Sequence, residues 1–310
     1  MDTLLLNGDD YKALVSMDDC IAAVEEAFRQ YAAGRLVAGI LSAHAERGAF
    51  HIKTSTCGRS FAAKLNANFP GNAPLPTIQG LLLLFDADTG VPLAVMDSIE
   101  VTKQRTAAAS AVAAKYLARP ASRTAMVYGC GGQAAAQLAA IRRVLPIERV
   151  HVTDVDAARA AAFAQSIDAE VGIDAHADVV VTCTTSKTPF LRDLAPGAFV
   201  AAVGADNPEK SEIHPEAMRA SVVVADVLEQ CATIGDLRTA IAAGAMTRAD
   251  VRAELGAIVA GRVTGRRNEN ETIVFDSTGA GFQDAAAAAI AYTRAVEQQR
   301  GTRFRFRGNA

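Results

Sequence analysis

Five short runs of apolar, mostly β-branched residues follow one another in the second half of the chain. They are "RTAMVYG", "RVHVTD", "ADVVVTCT", "FVAAVGA" and "SVVVAD", and helical or loop segments separate them. Strands that are buried on both faces have this composition, and they belong to parallel sheets with crossover connections. The segment before "ADVVVTCT" is too short for a full helix. The pattern predicts an α/β fold with a doubly wound parallel sheet.

The N-terminal third predicts a second, α+β domain with antiparallel strand pairing. Residues 16–34 have helical periodicity, with Ser16 and Asp19 placed for a capping box. An alanine-rich helix is predicted at 102–120, where Pro120 ends it. Strands are predicted at 36–45, 49–55 and 61–68, and a hairpin at 78–98. The tail "TRFRFRG" alternates strictly, so we expect a last strand that pairs with the N-terminal sheet.

Composition and charge exclude several classes of protein. Half of the 310 residues are hydrophobic and the net charge is −3, which argues against a nucleic-acid binder. No apolar run reaches the roughly 20 residues of a membrane span, and the acidic N-terminus is unlike a secretory signal. The five cysteines and five histidines have no disulfide or metal-ligand spacing. We expect a cytoplasmic protein with reduced thiols and no metal, nucleic-acid or membrane partner.

A glycine-rich loop lies between the first predicted strand of the parallel sheet and a helix. Gly129, Gly131 and Ala134 fit the pattern G-x-G-x-x-G/A, and Gly132 belongs to the same loop. This pattern allows a tight turn and lets a pyrophosphate approach the backbone and the helix N-terminus. Asp154 ends the next predicted strand, where it can bind the ribose hydroxyls and repel a 2′-phosphate. We therefore expect NAD rather than NADP, with a purely structural βα turn as the alternative.

Polar residues follow two further strands, at the edge where open α/β sheets bind ligands. The run "VVVTCTTS" places Thr184, Thr185 and Ser186 there, and "FVAAVGAD" places Gly204 and Asp206 there. We expect Asp206 to lie near the nicotinamide and the substrate. An exposed aspartate in an ordinary turn is the alternative interpretation.

Two cations of the first domain need an explanation. Lys64 lies in the otherwise uncharged run "FAAKLNANFPGN", and Arg105 is expected in the first turn of the alanine-rich helix, where a cation is unfavourable. Each could belong to a structural ion pair. Together with Asp206, they suit an α-amino or α-imino acid, because the cations can bind its carboxylate and Asp206 can face its nitrogen.

Many segments of the chain resemble the ornithine cyclodeaminase/μ-crystallin family, over almost the whole length. The matching segments are "KLNANFPGN", "LPTIQG", "PLAVMDSIEVTKQRTAAASAVAAKYLAR", "GCGGQAAAQL", "TCTTSKTPFL", "AVGADNPEKSEI", "VVVADVLEQ", "AELGAIVAGRVTGR" and "TIVFDSTG". The resemblance implies a homodimer assembled through the N-terminal domain and a Rossmann domain that carries NAD(P). The expected limits are 1–117 plus 299–310 for the substrate-binding and dimerisation domain, and 118–298 for the NAD(P)-binding domain.

The resemblance also implies roles for single residues. Lys64 is similar to the family's active-site lysine, Arg105 to its carboxylate-binding arginine, and Asp206 to the acid that handles the amino group. The positions where the family contacts the dinucleotide are Thr77, Thr106, Gln133 and Ser277.

The sequence departs from the family pattern in the region expected to bind the substrate. Members often carry a cation near position 40, where this chain reads "VAGILSA". Where cyclodeaminases have a glutamate and alanine dehydrogenases an arginine, this chain has His51. Lys53 shares a strand face with it. We expect His51 or Lys53 to replace the missing charge, with a structural histidine as the alternative.

Three functions remain open from the sequence. The first is a cyclodeaminase that forms an imine by hydride transfer at Cα, loses ammonia and cyclises an ornithine-like substrate. The second is an NAD(P)-dependent imino-acid reductase or alanine-type amino-acid dehydrogenase. The third is a non-catalytic binder of a cofactor or small ligand, against which Lys64, Arg105 and Asp206 argue.

Overall fold

The computed structural model describes residues 2–306. In chain order, its α-helices and strands are β1 (Thr3–Leu6), α1 (Gly8–Leu14), α2 (Met17–Ala32), β2 (Ala38–Ala45), β3 (Gly48–Cys57), β4 (Ser60–Asn68), β5 (Ile78–Asp86), β6 (Pro92–Asp97), α3 (Ser98–Leu117), β7 (Thr124–Tyr128), α4 (Ala134–Ile141), β8 (Arg149–Thr153), α5 (Ala157–Ile167), β9 (Glu170–Val171), β10 (Val179–Thr182), β11 (Phe199–Ala202), α6 (Pro215–Arg219), β12 (Val222–Ala225), α7 (Leu228–Ile234), α8 (Asp236–Ala242), β13 (Ala253–Glu254), α9 (Leu255–Val259), β14 (Ile273–Asp276), α10 (Gly281–Glu297) and β15 (Thr302–Phe304), and a 3-10 helix spans Arg248–Asp250. Within residues 2–306, no helix combines the length and the hydropathy that crossing a bilayer requires.

The chain divides into two compact units. The described part of the first unit comprises residues 2–105 and 280–306, and the second comprises 106–279. The point of division therefore lies inside α3. The division differs from the expected domain limits in two places. Residues 106–117 belong to the second unit, and residues 280–298, which include α10, belong to the first unit because α10 packs on β3 and β4. Residues 1 and 307–310 of the expected first domain lie outside the described residues.

The first unit is built on a seven-stranded sheet with the order β15-β1-β6-β5-β4-β3-β2. All neighbouring strands in it are antiparallel except β1 and β6. The expected antiparallel pairing and the closing C-terminal strand are confirmed, since β15 pairs with β1 through Thr3 and Phe304. The strand is shorter than the alternation of the tail suggested, and it ends at Phe304. The expected capping box of α2 is also confirmed, with Ser16 and Asp19 bonded reciprocally.

One face of this sheet carries Lys64 and packs against α10. Along β4, Ala62 and Lys64 are buried, whereas Leu65, which points to the other face, is exposed. This alternation follows the period of two that a strand imposes on its side chains. The helix α10 is fixed against α2 by aromatic contacts, since the ring of Phe282 lies 5.2 Å from Phe28 and 5.0 Å from Tyr31.

The start of α3 differs from the expectation and changes the position of Arg105. The helix was expected to begin at Thr102, but it begins at Ser98, because the Asp97 carboxylate accepts the Ile99 N–H at 2.7 Å. Such a contact satisfies a free N–H of the first helical turn. Arg105 therefore lies about two turns into the helix, and the argument that it opposes the helix dipole was wrong.

The second unit is an eight-stranded, fully parallel sheet with the order β13-β12-β14-β11-β10-β7-β8-β9. The strands of its centre are buried on both faces, as their apolar runs predicted. The crossover order reverses between β7 and β10, which is where doubly wound sheets form their ligand crevice. As expected, the short connection from β9 to β10 is a loop. The doubly wound parallel fold predicted from the sequence is confirmed.

Candidate active site

Lys64 lies on β4 with 3% of its surface exposed, and its partner is a carboxylate of α10. Its Nζ donates to Asp284 Oδ1 at 2.8 Å and to the Thr102 hydroxyl at 3.2 Å. Asp284 itself is 1% exposed. An isolated lysine would be costly to bury, and this ion pair offsets part of that cost.

Arg105 binds the same carboxylate oxygen as Lys64. Its Nε donates to Asp284 Oδ1 at 2.7 Å, and its Nη1 donates to Gln283 Oε1 at 2.8 Å. Arg105 is 4% exposed, so both cations and the carboxylate are withdrawn from water. We call Lys64, Arg105, Gln283 and Asp284 the buried ion cluster. All four belong to the first unit.

The buried ion cluster changes the protonation of its members. Burial lowers the pKa of Lys64 to about 7, and the nearby Arg105 guanidinium adds to this effect, against the attraction of Asp284. Although burial raises the pKa of Asp284, the charges of Arg105 and Lys64 hold it below its usual range. Lys64 can therefore give up or take a proton near neutral pH while Asp284 stays ionised.

Two polar atoms of the buried ion cluster have no hydrogen-bond partner among the described residues. They are Asp284 Oδ2 and Gln283 Nε2, one acceptor and one donor. Arg105 uses Nε and Nη1 in the contacts above, which leaves Nη2 as a further donor. Because unmet polar groups are costly inside a protein, their presence beside two cations is typical of a ligand site.

His51 and Lys53 lie on the strand next to Lys64. Lys53 on β3 is directly opposite Lys64 in the strand register, and His51 is opposite Asn66. Directly opposed residues of antiparallel strands share a face. His51 Nδ1 lies 2.9 Å from the Ser42 hydroxyl. The charge of Lys53 contributes to lowering the pKa values of both Lys64 and Asp284, so it lies within electrostatic reach of the buried ion cluster.

The glycine-rich loop of the second unit follows β7 and precedes α4. Gly129 has a φ of +93°, and a Cβ there would lie 2.9 Å from the Cys183 carbonyl oxygen, so the position requires glycine. A Cβ at Gly131 or Gly132 would meet no atom within 4 Å, which leaves their backbone open to a ligand. Gln133 directly precedes the helix α4. The loop therefore fits a dinucleotide pyrophosphate.

Asp154 follows β8 and closes the glycine-rich loop from the side. Its carboxylate accepts the Cys130 N–H at 2.8 Å and the Asp156 N–H at 2.9 Å. Burial raises the pKa of Asp154, but these two backbone donors and Arg159 outweigh it, and the pKa is lowered. An ionised Asp154 at this place is suited to the hydroxyls of a ribose rather than to a 2′-phosphate.

The remaining expected residues have varied surroundings. Thr184 Cγ2 would lie 3.0 Å from a Cβ at Gly129, so the loop after β10 touches the glycine-rich loop. Asp206 is half exposed and its carboxylate pairs with the Lys210 ammonium at 2.7 Å. The buried Ser277 hydroxyl donates to Asp226 at 3.0 Å. Further positions are the exposed Thr77 and Thr185 and the half-buried Thr106 and Ser186.

Comparison with known proteins identifies the family. The family model described as ornithine cyclodeaminase/mu-crystallin family matches residues 1–299. The chain belongs to this family. It is 36% identical over 320 residues to an alanine dehydrogenase of Archaeoglobus fulgidus, covering 99% of each chain.

Two solved structures of similar proteins match almost the whole chain. A structure described as an archaeal alanine dehydrogenase dimer with bound NAD is 36% identical with a TM-score of 0.96, covering 99% of this chain and 100% of that chain. A Thermococcus litoralis Δ1-pyrroline-2-carboxylate reductase, solved with NADH and L-proline, is 31% identical with a TM-score of 0.92, covering 97% and 99%.

The sequence named some residues of this family member's site and missed others. The structure brings Lys64 and Arg105 together on one carboxylate and places Lys53 beside them, as the sequence suggested. Asp284 was missed, although the signal was present: it is a lone acid in the apolar segment "GFQDAAAAAIAY". The roles assigned to individual residues remain predictions.

Proposed function

We propose that this protein is an NAD-dependent enzyme that transfers hydride at the Cα of a small α-amino or α-imino acid. The observation that carries the proposal is the buried ion cluster, in which Lys64 and Arg105 share Asp284 Oδ1 at 2.8 and 2.7 Å. The first unit supplies this cluster and is the proposed substrate-binding domain. The second unit, with its glycine-rich loop, is the proposed NAD-binding domain. The NAD- and NADH-bound neighbours support the choice of cofactor.

The buried ion cluster is suited to the carboxylate and nitrogen of an amino acid. Arg105 Nη2 and Gln283 Nε2 can donate to the substrate carboxylate, while Asp284 Oδ2 can accept from an N–H. Their partners on α10 and α3 hold these groups in place before a ligand arrives, which reduces the cost of ordering them. The Arg105 guanidinium stays charged whether or not Lys64 holds its proton, so a cation faces the carboxylate in both states.

Lys64 is the proposed proton carrier of the reaction. When bound, NAD would accept a hydride from Cα of the amino acid, or NADH would return it. Oxidation requires the substrate ammonium to lose a proton first, and a neutral Lys64 can take it because its pKa is about 7. In the reducing direction the protonated Lys64 returns the proton to the nitrogen. Asp206 is the proposed second polar contact of the nitrogen.

The cluster's surroundings favour an oxidoreductase over a cyclodeaminase. A cyclodeaminase must hold the distal amine of a diamino acid, for which a carboxylate is the natural partner. The β3 side chains on the Lys64 face include His51 and Lys53, which are not carboxylates. Asp284 is already shared between two cations. A small or anionic substrate side chain fits these charges better than an ammonium.

A substrate panel tests this proposal. The protein is incubated with NAD and L-alanine, L-aspartate, L-proline or L-ornithine, and NADH and ammonia are both measured. We expect net NADH formation with at least one of the first three. Ammonia release from ornithine without NADH would show a lyase instead, and binding of NADH without turnover of any substrate would show a non-catalytic binder. Lys64→Met should abolish turnover, whereas the control Lys103→Met, whose partly exposed lysine pairs with Glu100, should not.

The sheet face opposite Lys64 supports a homodimer as part of this proposal. Leu41, Ile52, Leu65 and Leu81 lie in one register row across β2 to β5. Leu41, Leu65 and Leu81 are 61%, 42% and 54% exposed, and rows of this kind mark interaction sites. The archaeal alanine dehydrogenase neighbour is described as a dimer. Light scattering should give twice the chain mass of 32.4 kDa.

A cytoplasmic location is also proposed, supported by five free cysteines.

A further inference from the structure

Glu212 is a buried carboxylate that joins two loops of the second unit. It is 0% exposed, and its Oε1 accepts the Thr184 N–H at 2.6 Å while its Oε2 accepts the Gly204 N–H at 2.9 Å. Thr184 follows β10 and Gly204 follows β11, which are neighbours in the sheet. A single side chain therefore fixes the ends of two strands at the edge where the cofactor is proposed to bind.

The loops that carry Thr184 and Gly204 pack closely around the Glu212 side chain. A Cβ at Gly204 would collide with the Glu212 carboxyl group, so glycine is needed to let the carboxylate approach. The Glu212 carbonyl oxygen accepts the N–H groups of Phe190 and Leu191 at 2.9 and 3.0 Å. Both the backbone and the side chain of Glu212 are thus held, and its carboxylate cannot turn to water.

The charged surroundings of Glu212 are acidic. The Glu212 N–H donates to the buried Asp236 Oδ1 at 2.7 Å, and Asp236, at the start of α8, is the charged group that acts on Glu212 most strongly. Burial, and then the charge of Glu212, raise the pKa of the Cys183 thiol, which follows β10. Burial raises the pKa of Asp236, and the Arg238 guanidinium opposes this effect. Burial, and then Asp236, raise the pKa of Glu212 to about 7.

Only the ionised carboxylate can accept both N–H groups with full strength. Protonation converts one oxygen into a hydroxyl donor, which then faces a backbone N–H that is also a donor. One loop thereby loses a charge-assisted hydrogen bond. The segments affected carry Thr184, Ser186 and Gly204, which lie at the edge of the sheet where we expect the cofactor to bind.

We propose that Glu212 is a positioning residue through which binding of the dinucleotide is coupled to release of a proton. This inference rests on the proposed NAD-dependent function. The ionised form holds the two loops in their binding arrangement, and the protonated form loosens one of them. Because NADH then binds the ionised form preferentially, its Kd falls as pH rises, and binding below pH 7 releases a proton.

The experiment measures the Kd of NADH by fluorescence from pH 5.5 to 8.5, in the wild type and in Glu212→Gln. A one-unit shift of the Glu212 pKa on binding corresponds to an about tenfold fall in Kd across this range. We expect this fall in the wild type, and a flat profile at the weaker affinity in Glu212→Gln, whose amide cannot accept both N–H groups. The matched control is Glu209→Gln, an exposed acid of the same segment, which should keep the wild-type profile.

Lys64 also titrates near pH 7, so the profile is repeated in Lys64→Met, where the inference predicts that the pH dependence persists. A flat wild-type profile, or a pH dependence that survives in Glu212→Gln, would overturn the inference.

A second measurement needs no cofactor. The Gly204 amide resonance of the free wild-type protein should titrate with a midpoint near pH 7, and it should stay constant if Glu212 does not change its protonation there. If Glu212→Gln fails to fold, the Gly204 titration tests the inference in the wild type alone. The heat of NADH binding, measured in buffers of different ionisation enthalpy, then shows whether binding releases a proton. Absence of NADH binding at every pH would refute the proposed function, whereas a titrating Gly204 amide would still report on Glu212.

Discussion

Asp284→Asn removes the carboxylate that the two buried cations share, and its cost can be worked out from the geometry. Asp284 Oδ1 lies 2.8 Å from Lys64 Nζ and 2.7 Å from Arg105 Nε. Breaking one buried ion pair from one side costs about 3–5 kcal/mol. The two pairs share an oxygen and are not additive, and Lys64 can avoid its part of the cost by losing its proton. We expect a loss of about 3–5 kcal/mol in the free energy of unfolding at pH 6.

The pH dependence gives this prediction its sign. Asp284 attracts the charge of Lys64, so the variant lowers the pKa of Lys64 further below its wild-type value of about 7. Between the two pKa values the folded wild type binds more protons than the folded variant, so the variant gains stability faster as pH rises. The destabilisation should therefore be smaller at pH 9 than at pH 6.

Guanidinium unfolding followed by circular dichroism at both pH values measures the effect. The control Asp88→Asn breaks an exposed ion pair with Arg59 and should cost at most about 1 kcal/mol. A loss of less than about 1 kcal/mol for Asp284→Asn at pH 6, or a loss that grows with pH, would refute the reasoning.

Three further predictions concern Lys64, the glycine-rich loop and Asp154. The free energy of unfolding of the wild type should rise between about pH 7 and 10.5, because the unfolded Lys64 holds a proton there that the folded one has lost, and Lys64→Met should remove this rise. Equal slopes of the unfolding free energy against pH in the two proteins would contradict this. Gly129→Ala should weaken NADH binding at least about tenfold because of its positive φ and the Cys183 contact, while Gly132→Ala should leave the melting temperature of the free protein unchanged. Asp154→Ser should narrow the preference for NADH over NADPH in fluorescence titrations, and an unchanged ratio of the two Kd values would show that Asp154 does not discriminate.

The sequence predicted the parallel sheet because runs such as "VVVT" are apolar at successive positions, and only strands that are buried on both faces require this composition. It placed Arg105 wrongly in its helix, because the residues before Thr102 continue the hairpin pattern and the cap comes from Asp97. The length of a helix thus depended on one side-chain contact that apolar periodicity does not record.

The chemistry of the site was half predictable. Lys64 and Arg105 were noticed because a buried cation requires a partner, but their partner lies on α10, far along the chain, and periodicity does not indicate which acid folds back onto which lysine. Glu212 was missed because its segment, "GADNPEKSEI", stood out only for Asp206 and for the family pattern. Its importance comes from two backbone N–H groups on neighbouring strands, which have no signature in the residue types.

The central claim is that Arg105 and Gln283 in the buried ion cluster recognise a substrate carboxylate, and a comparison of an amino acid with its carboxamide tests it most directly. NADH formation is followed by its absorbance with the best substrate of the panel and with the corresponding amide. Losing the charge-assisted hydrogen bonds of about 1.5–3 kcal/mol each should lower kcat/KM at least about 100-fold for the amide. Comparable kcat/KM values for the acid and the amide would contradict the account.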